Sequence, residues 1–569
     1  MTARWVPDAA RVASCIALFS ILGAAQSAGA QGPPTVPPAS VPAAMGHFSS
    51  GDAAGAARIL ERVTAASPAN VRAWRLLALC YRTTGDLDAS LGAYDKALAL
   101  EPSSAETIFN LAGVYALKGN TDSAFALLAK VRASRNYDMT QLDVDSTYAS
   151  LRHDPRYASL LPTAKDFAAP FVEQVKVIRE LDGDSAGDQF GWIARSIGDV
   201  DHDGVADFVT SAPTKDVGGA NAGRVYVYSS RSGKLLWSAD GKPGEQLGTG
   251  VESAGDVDGD GTQDVIAGAP YSGRTYIYSG TNGHVLFTLR AENDSDSFGQ
   301  AVSTAGDVDH DGHADFIVGA PSSNAGGKSA GRAYVYSGKD GHILLTLTGE
   351  RAGDAFGSTV AGYTDSKRSF LVIGAPSAGS GKVGGTYVYE GLSQKPKFII
   401  ESDSTGRALG AMFVSVAGDV NGDGVPDIYA SDFTNDAKGP STGRIYVHSG
   451  RDGKRLLTLT GETAGEGFGI GPATAGDVDH DGYADLIVGS WRYSGGATSG
   501  GRVYLYSGRD GHLIKTYTDR IPGDTFGFDA VGIGDVDGDG DVDFLLTAAW
   551  SGVHGNHSGR IFIVSSGVK

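Results

Sequence analysis

The sequence predicts a multidomain chain: an N-terminal all-α helical-repeat domain followed by an all-β seven-bladed β-propeller. Two repeat systems of different period carry that expectation, and a recurring set of aspartates gives the second one a chemistry. At 569 residues the chain exceeds one ordinary domain, and 41% hydrophobic residues are enough for real cores. Glycine is the outlier, with 82 residues and no G-X-Y period, which excludes collagen and favours many short strands joined by tight turns. A formal charge of −19 argues against a nucleic-acid partner.

The first 30 residues read as a signal peptide. Arg4 and Arg11 precede a 14-residue apolar run from Val12 to Ala25, and Ala28-Gly29-Ala30 is an A-x-A cleavage site, so the mature chain is expected to start at Gln31 outside the cytoplasm. The run is short for a membrane span and no later segment reaches 18 apolar residues, so none is expected. Val12-Ala13-Ser14-Cys15 has the outline of a lipoprotein box, but the apolar run follows Cys15 instead of preceding it, which speaks against lipidation. Removal of Cys15 leaves Cys80 as the sole thiol, so stability must come from packing and metal instead of a disulfide. Residues 31–42 form a Pro-rich linker (GPPTVPPASVP from Gly32).

A 34-residue period then begins, with Pro68 and Pro102 one period apart. Trp74, Leu77, Ala78, Tyr81, Gly85, Tyr94 and Ala97 fall on it; Ile108, Leu111, Ala112, Tyr115, Gly119, Ala124, Leu128 and Val131 repeat it, and Ala44, His47, Gly51, Leu60 and Val63 give a weaker earlier copy. Small residues recur where paired helices touch and large ones where they interlock. The spacing resembles the tetratricopeptide family, with three repeats over residues 41–135, about the minimum for a stable stack. Residues 136–168 are expected to hold a capping helix, Leu142–Leu161, and a linker.

The second system fills residues 169–569. Its unit runs Phe-Gly, strand, GDVDxDG, strand ending GAP, YVYSG, strand. Phe-Gly or Leu-Gly occurs seven times, at Phe190, Leu247, Phe298, Phe356, Leu409, Phe468 and Phe526, spaced by 51 to 59 residues. Alternating apolar residues such as Tyr334-Val335-Tyr336 mark the strands, and four strands in each of seven units predict seven blades. The last unit ends on its third strand, while Phe171 to Leu181 is surplus at the front; pairing the two closes the ring and removes its open edges.

Six units carry Asp-x-[Asp/Asn]-x-Asp-Gly-x-x-Asp. The residues are Asp199, Asp201, Asp203 and Asp207; Asp256, Asp258, Asp260 and Asp264; and Asp307, Asp309, Asp311 and Asp315. The other three units supply Asp419, Asn421, Asp423 and Asp427; Asp477, Asp479, Asp481 and Asp485; and Asp535, Asp537, Asp539 and Asp543. Oxygen at positions 1, 3, 5 and 9 suits a hard cation, and glycine at position 6 permits the sharp turn. The carbonyl of position 7 (Val205, Thr262, His313, Val425, Tyr483, Asp541) adds a ligand. With one bidentate carboxylate and a water this gives about seven oxygens, which Ca²⁺ accepts and octahedral Mg²⁺ does not. An EF-hand needs an acid at position 12, and all six loops lack it: Thr210, Ala267, Val318, Ala430, Val488 and Leu546 stand there. Plain hairpin turns do not explain six copies of mutually repelling carboxylates. In the fourth unit only Asp365 remains, beside Lys367 and Arg368, so six calcium sites and an empty fourth blade are expected.

These motifs in this order resemble the FG-GAP repeats of integrin α subunits over about 400 residues. The resemblance implies structural metal loops on the lower face and ligand binding on the upper one. Three units depart from GAP, reading Ser431-Asp432-Phe433, Gly489-Ser490-Trp491 and Ala548-Ala549-Trp550, and none of an integrin's leg or membrane segments is recognisable. Phe433, Trp491, Tyr493, Trp550, His554 and His557 form a candidate upper-face rim, suited to a sugar or a peptide. In the competing reading Trp491 and Trp550 fill the space of the missing proline between blades; Trp192, just after a Phe-Gly, either lines the central channel or packs in the core. The expected function is a non-catalytic exported scaffold that binds protein or peptide through the propeller face and the helical groove. The alternatives are a lectin-like glycan binder and, behind it, a polysaccharide- or lipid-acting enzyme, for which the chain shows no H-E-x-x-H.

Overall fold

The computed structural model describes residues 39–568. The expected signal peptide, its cleavage site, Cys15 and residues 31–38 of the linker lie outside that range. The chain divides into two compact units, one ending at Pro102 and one starting at Ser103. Among the described residues no helix is long and apolar enough to cross a membrane.

The first unit holds α1 (Val41–Ser49), α2 (Ala53–Ala66), α3 (Val71–Thr84) and α4 (Leu87–Leu100). Each starts on a side chain that accepts an otherwise unpaired N–H: Ser40 from Ala43, Asp52 from Gly55, Asn70 from Ala73 and Asp86 from Ala89. Ala44, Ala56, Ala73, Ala78 and Ala97 are fully buried, the small residues that the period requires where helices touch. Cys80 is buried among them, and burial pushes its thiol up to about 11, which leaves it unreactive.

The second unit opens with α5 (Ala105–Leu117) and α6 (Thr121–Ser134), capped by Ser104 and Asn120. The expected single capping helix is instead a four-residue helix, Gln141–Val144, and two 3₁₀ turns, Ser146–Leu151 and Tyr157–Leu160. Asp145 breaks the first by leaving helical geometry (ψ 111°) and accepting the Thr147 N–H, and Pro155 bars a helix through the last two. These turns still cap the repeats. Met139, Leu142, Tyr148, Leu151, Tyr157 and Leu160 pack on Phe109, Phe125 and Leu128, and the Tyr148 hydroxyl donates to the Phe109 carbonyl at 2.5 Å.

Seven four-stranded antiparallel sheets follow. Blade 1 comprises Ala194–Ser196, Phe208–Ala212, Arg224–Tyr228 and Leu235–Asp240. Blades 2 to 6 repeat it, opening on Val251–Gly255, Val302–Gly306, Thr359–Thr364, Val414–Gly418 and Phe468–Gly476. The second strand of every blade is buried along its length, because neighbouring blades cover both faces. The FG and GAP motifs meet between blades. A Cβ on Gly268 of blade 2 would lie 1.8 Å from the carbonyl oxygen of Gly299 in the Phe-Gly of blade 3, so only glycine permits this approach.

Blade 7 consists of Ala530–Gly534, Asp543–Ala548, Arg560–Ser565 and, as its fourth strand, Val177–Asp182. The closing register pairs Leu181 with Ile561 and Glu180 with Phe562. The closing strand is shorter than the expected 171–181. Residues 171–173 run instead along blade 6: the Val172 N–H donates to the Thr518 carbonyl at 2.8 Å, and the Glu173 carboxylate accepts from Thr516 and Thr518. Phe171 decides this path. It is 8% exposed and sits edge-on to Phe526 at 5.3 Å and Phe562 at 5.1 Å. One front segment thus joins blades 6 and 7.

Candidate metal centres and the loop face

The acidic loops join the first and second strands of blades 1, 2, 3, 5, 6 and 7. Their winding is set by backbone. Position 4 is left-handed in all six, occupied by His202, His310 and His480 (φ 60°, 62° and 58°) or by Gly259, Gly422 and Gly538. The first aspartate then gathers the loop's N–H groups: in blade 1, Asp199 accepts from Asp203 at 3.0 Å and Gly204 at 2.8 Å. The fifth-position carboxylate accepts the seventh residue's N–H, from Val205, Thr262, His313, Val425, Tyr483 and Asp541 at 2.8 to 3.1 Å.

Wound in this way, Asp199, Asp201 and Asp203 bring carboxylate oxygens within 4.8 Å of one another, as do Asp256, Asp258 and Asp260; Asp307, Asp309 and Asp311; and Asp535, Asp537 and Asp539. In blade 6 the trio is Asp477, Asp479 and Asp485. Blade 5 differs: Asn421 turns its amide Nδ2 onto both oxygens of Asp427, at 3.0 and 2.9 Å. These clusters can bind metal.

The ninth-position aspartates play a part that the spacing alone does not reveal. Asp207, Asp264, Asp315, Asp427, Asp485 and Asp543 are fully buried. Asp207 accepts from Val200 at 2.9 Å, Asp201 at 3.2 Å and, across the blade, Ser230 at 3.1 Å. Gly280, Gly338, Gly450 and Gly508 make the same cross-blade bond in blades 2, 3, 5 and 6. These oxygens are engaged by backbone, and in blade 6 Asp485 joins its cluster as well. Burial pushes Asp207, Asp264 and Asp315 up to about 6 and Asp427 and Asp543 up to about 7. Blade 7 lacks the cross-blade donor, and Asp543 Oδ1 is buried with no hydrogen-bond partner.

A cation from the turn after the third strand faces position 5: Arg231 on Asp203 at 3.8 Å, Lys339 on Asp311 at 3.9 Å, Arg451 on Asp423 at 3.3 Å and Arg509 on Asp481 at 3.8 Å. In blade 7 Lys176, just ahead of the closing strand, replaces it on Asp537 and Asp539. In blade 4 Leu392 holds the equivalent position. There the hairpin is tight: Asp365 Oδ1 accepts from the Lys367 and Arg368 N–H groups at 2.6 and 2.9 Å, and Tyr363 donates to Oδ2.

The aromatic rim does not assemble as one surface. Phe433 is buried, Tyr493 lies beneath the Arg502 guanidinium at 3.8 Å, and exposed His554 is tied to the Gly183 carbonyl at 2.9 Å. Ser431-Asp432-Phe433 has its own task. Six Phe/Leu-Gly turns carry a buried acid two residues before the aromatic or leucine: Asp188, Glu245, Asp296, Asp354, Glu466 and Asp524. Blade 5 has Arg407 there, and Asp432 supplies the carboxylate instead, accepting the N–H groups of Arg407 at 2.9 Å and Ala408 at 3.2 Å.

Trp491, Trp550 and His557 do come together, in a cleft of about 380 Å³. Its other wall is the chain just after α6. Asn136 accepts from the Thr498 N–H and hydroxyl at 3.1 and 2.7 Å, and Asn556 donates to the Thr140 hydroxyl at 3.0 Å. A Cβ on Gly552 would lie 2.5 Å from Thr140 Cγ2, so glycine lets this segment settle on blade 7. The central channel receives no such group from Trp192, which is 7% exposed, bonds the Thr249 carbonyl at 3.1 Å and packs on Phe528 at 4.7 Å.

Comparison with known proteins matches the FG-GAP repeat to residues 190–228, 249–286 and 298–336, an FG-GAP-like repeat to 419–488, and the tetratricopeptide repeat to 42–105 and 84–138. This is a propeller of FG-GAP repeats preceded by tetratricopeptide repeats. The chain is similar to integrin alpha-4 of Xenopus laevis, 31% identical over 181 residues (29% of this chain, 17% of that protein). It is also similar to phosphatidylinositol-glycan-specific phospholipase D, 34% identical in Rattus norvegicus over 28% of this chain and 22% of that protein. To the Homo sapiens phospholipase it is 26% identical over 389 residues, 57% of this chain and 46% of that protein. The chain spans about a fifth of the length of the integrins and rodent phospholipase D that it matches.

Proposed function

We propose that the chain is an exported interaction scaffold whose FG-GAP propeller is held rigid by calcium in up to six loops, with partners bound on the propeller face and in the helical groove. The observation that carries the calcium reading is the repeated convergence of three carboxylates within 4.8 Å, at the same turn of five blades. The donors fit: every side-chain ligand offered is a hard oxygen, and the buried, unpartnered Asp543 Oδ1 is a polar atom that a cation would satisfy. Asp199, Asp201 and Asp203, with the Val205 carbonyl and buried Asp207 behind them, would hold the ion in blade 1, and the equivalent residues would do so elsewhere. Calcium would there cancel repulsion between neighbouring carboxylates. In blade 7 it would compete with Lys176.

The similarity to integrin α subunits supports contact with proteins outside the cytoplasm, and the two repeat architectures both present extended surfaces. The test is calorimetry on the full chain in calcium and in chelator. At free calcium about 100-fold above Kd, each occupied site adds about 2.7 kcal/mol of stability, so the propeller transition rises by about 3 °C for each site filled. An identical transition in both buffers refutes the calcium reading. A pull-down from native envelope with and without calcium then seeks the partner. A second reading, action on a glycolipid or polysaccharide, draws on the similarity to the phospholipase D; turnover of such substrates by the full chain would establish it.

A further inference from the structure

We infer that the cleft walled by blades 6 and 7 and by the residues after α6 binds a neutral pyranose sugar. Its volume of about 380 Å³ lies in the range of small-ligand sites. Trp491 and Trp550 meet edge to face at 5.1 Å, and His557 stacks on Trp550 at 5.5 Å, so the floor is a rigid aromatic corner. Aromatic faces suit the C–H side of a pyranose ring, and the same ring's hydroxyls need donors and acceptors around the edge.

The opposite wall supplies them. Asp138 is fixed by the Thr140 N–H and hydroxyl at 2.9 and 2.6 Å and by Gln141 Nε2 at 3.0 Å, so a carboxylate and an amide face the cleft already oriented. On the aromatic side Trp550 Nε1 is buried with no hydrogen-bond partner. That N–H is closed off from solvent, so the cleft offers the faces of the aromatic corner and not its indole nitrogen. Asp138 and Arg492 bring one charge of each sign to the lining, so the cleft favours neither an anionic nor a cationic sugar. Burial lowers the proton affinity of His557, so the stacked ring is neutral near pH 7 and adds no positive charge.

This reading does not depend on calcium, and its test can fail by itself. Tryptophan fluorescence of the full chain is titrated with methyl β-glucopyranoside, methyl α-mannopyranoside and N-acetylglucosamine, in calcium and in chelator. At least one gives a saturable change. Trp550→Leu removes the aromatic face while filling the site and weakens binding about tenfold, and Gln141→Ala weakens it about fivefold. Both variants retain the wild-type melting temperature. No saturable change with any of the three sugars overturns the proposal, as does equal affinity in both variants. Binding of peptides from an array, with no sugar binding, overturns it in favour of a peptide cleft.

Discussion

Replacing Phe171 with alanine tests the seam of the ring. Phe171 lies outside the closing strand, yet it fills the space between Phe526 at the head of blade 7 and Phe562 in its third strand. Removing a buried phenylalanine costs about 3–5 kcal/mol, part of it from two edge-to-face contacts of about 0.5–1.5 kcal/mol each. The propeller from Val177 to Ser565 is about 390 residues, and its unfolding entropy near Tm is about 0.8 kcal/mol/K at about 2.1 cal/mol/K per residue. A loss of about 4 kcal/mol therefore lowers Tm by about 5 °C. The assay is calorimetry with Val172→Ala as control: Val172 is 51% exposed and its backbone bond to Thr518 survives the change. Hydrogen exchange of Phe171→Ala should quicken in 177–182 and 560–565 while other blades hold. A shift no larger than that of Val172→Ala refutes the claim that this side chain secures closure.

Three further outcomes are expected. Arg560 is 2% exposed and donates to Glu180, Asp182 and the Phe167 carbonyl, and the two carboxylates are 38% and 25% exposed, so Arg560→Ala removes charge-assisted bonds and costs about 1.5–3 kcal/mol in urea unfolding; a loss below about 0.5 kcal/mol contradicts this. Burial pushes Asp524 up to about 7, with Arg560 and the Ser551 hydroxyl opposing the rise. The folded group thus binds its proton more tightly than the unfolded one, so its stabilisation is full below about pH 4 and is lost as pH climbs to about 7. Asp524→Asn should therefore melt above wild type at pH 8, by a margin that shrinks towards pH 5; a margin constant with pH argues against the buried acid. Gly552→Ala places a methyl against Thr140 and should speed proteolysis after α6 without lowering the propeller's Tm; unchanged proteolysis counts against a close-packed junction.

The blade count and the loop positions were legible because each rests on a repeated local pattern, seven Phe/Leu-Gly turns and six acidic loops, and the front strand was legible because the last unit is one strand short. Position 4 of the acidic loops was legible only in outline: histidine and glycine look unrelated until the shared left-handed backbone is seen. Leu392 of blade 4 stands where blades 1, 3, 5 and 6 have Arg or Lys, but Thr281 stands there in blade 2 beside a full set of acids, so the position carried no reading before the turn was known to face the loop. The seat of Asn136, Asp138 and Thr140 on blades 6 and 7 left no local signature, since the contacts span about 360 to 420 positions and rest on glycines that lack a side chain. The same distance hid why Phe433, Tyr493 and His554 fall away from the cleft.

The closing strand also sets an order of events. Glu180 and Arg560 lie 380 positions apart, so bringing them together in an unstructured chain costs about 5 kcal/mol of loop entropy before any bond forms. The other blades pay nothing comparable, since each is a meander of neighbouring strands. Blades 1 to 6 can therefore form as the chain emerges, while the front segment waits with one bare edge until the last blade exists. During that wait the unpaired strand is a template for a second copy of the chain. Residues 171–173, already laid along blade 6, hold it within reach of the correct edge.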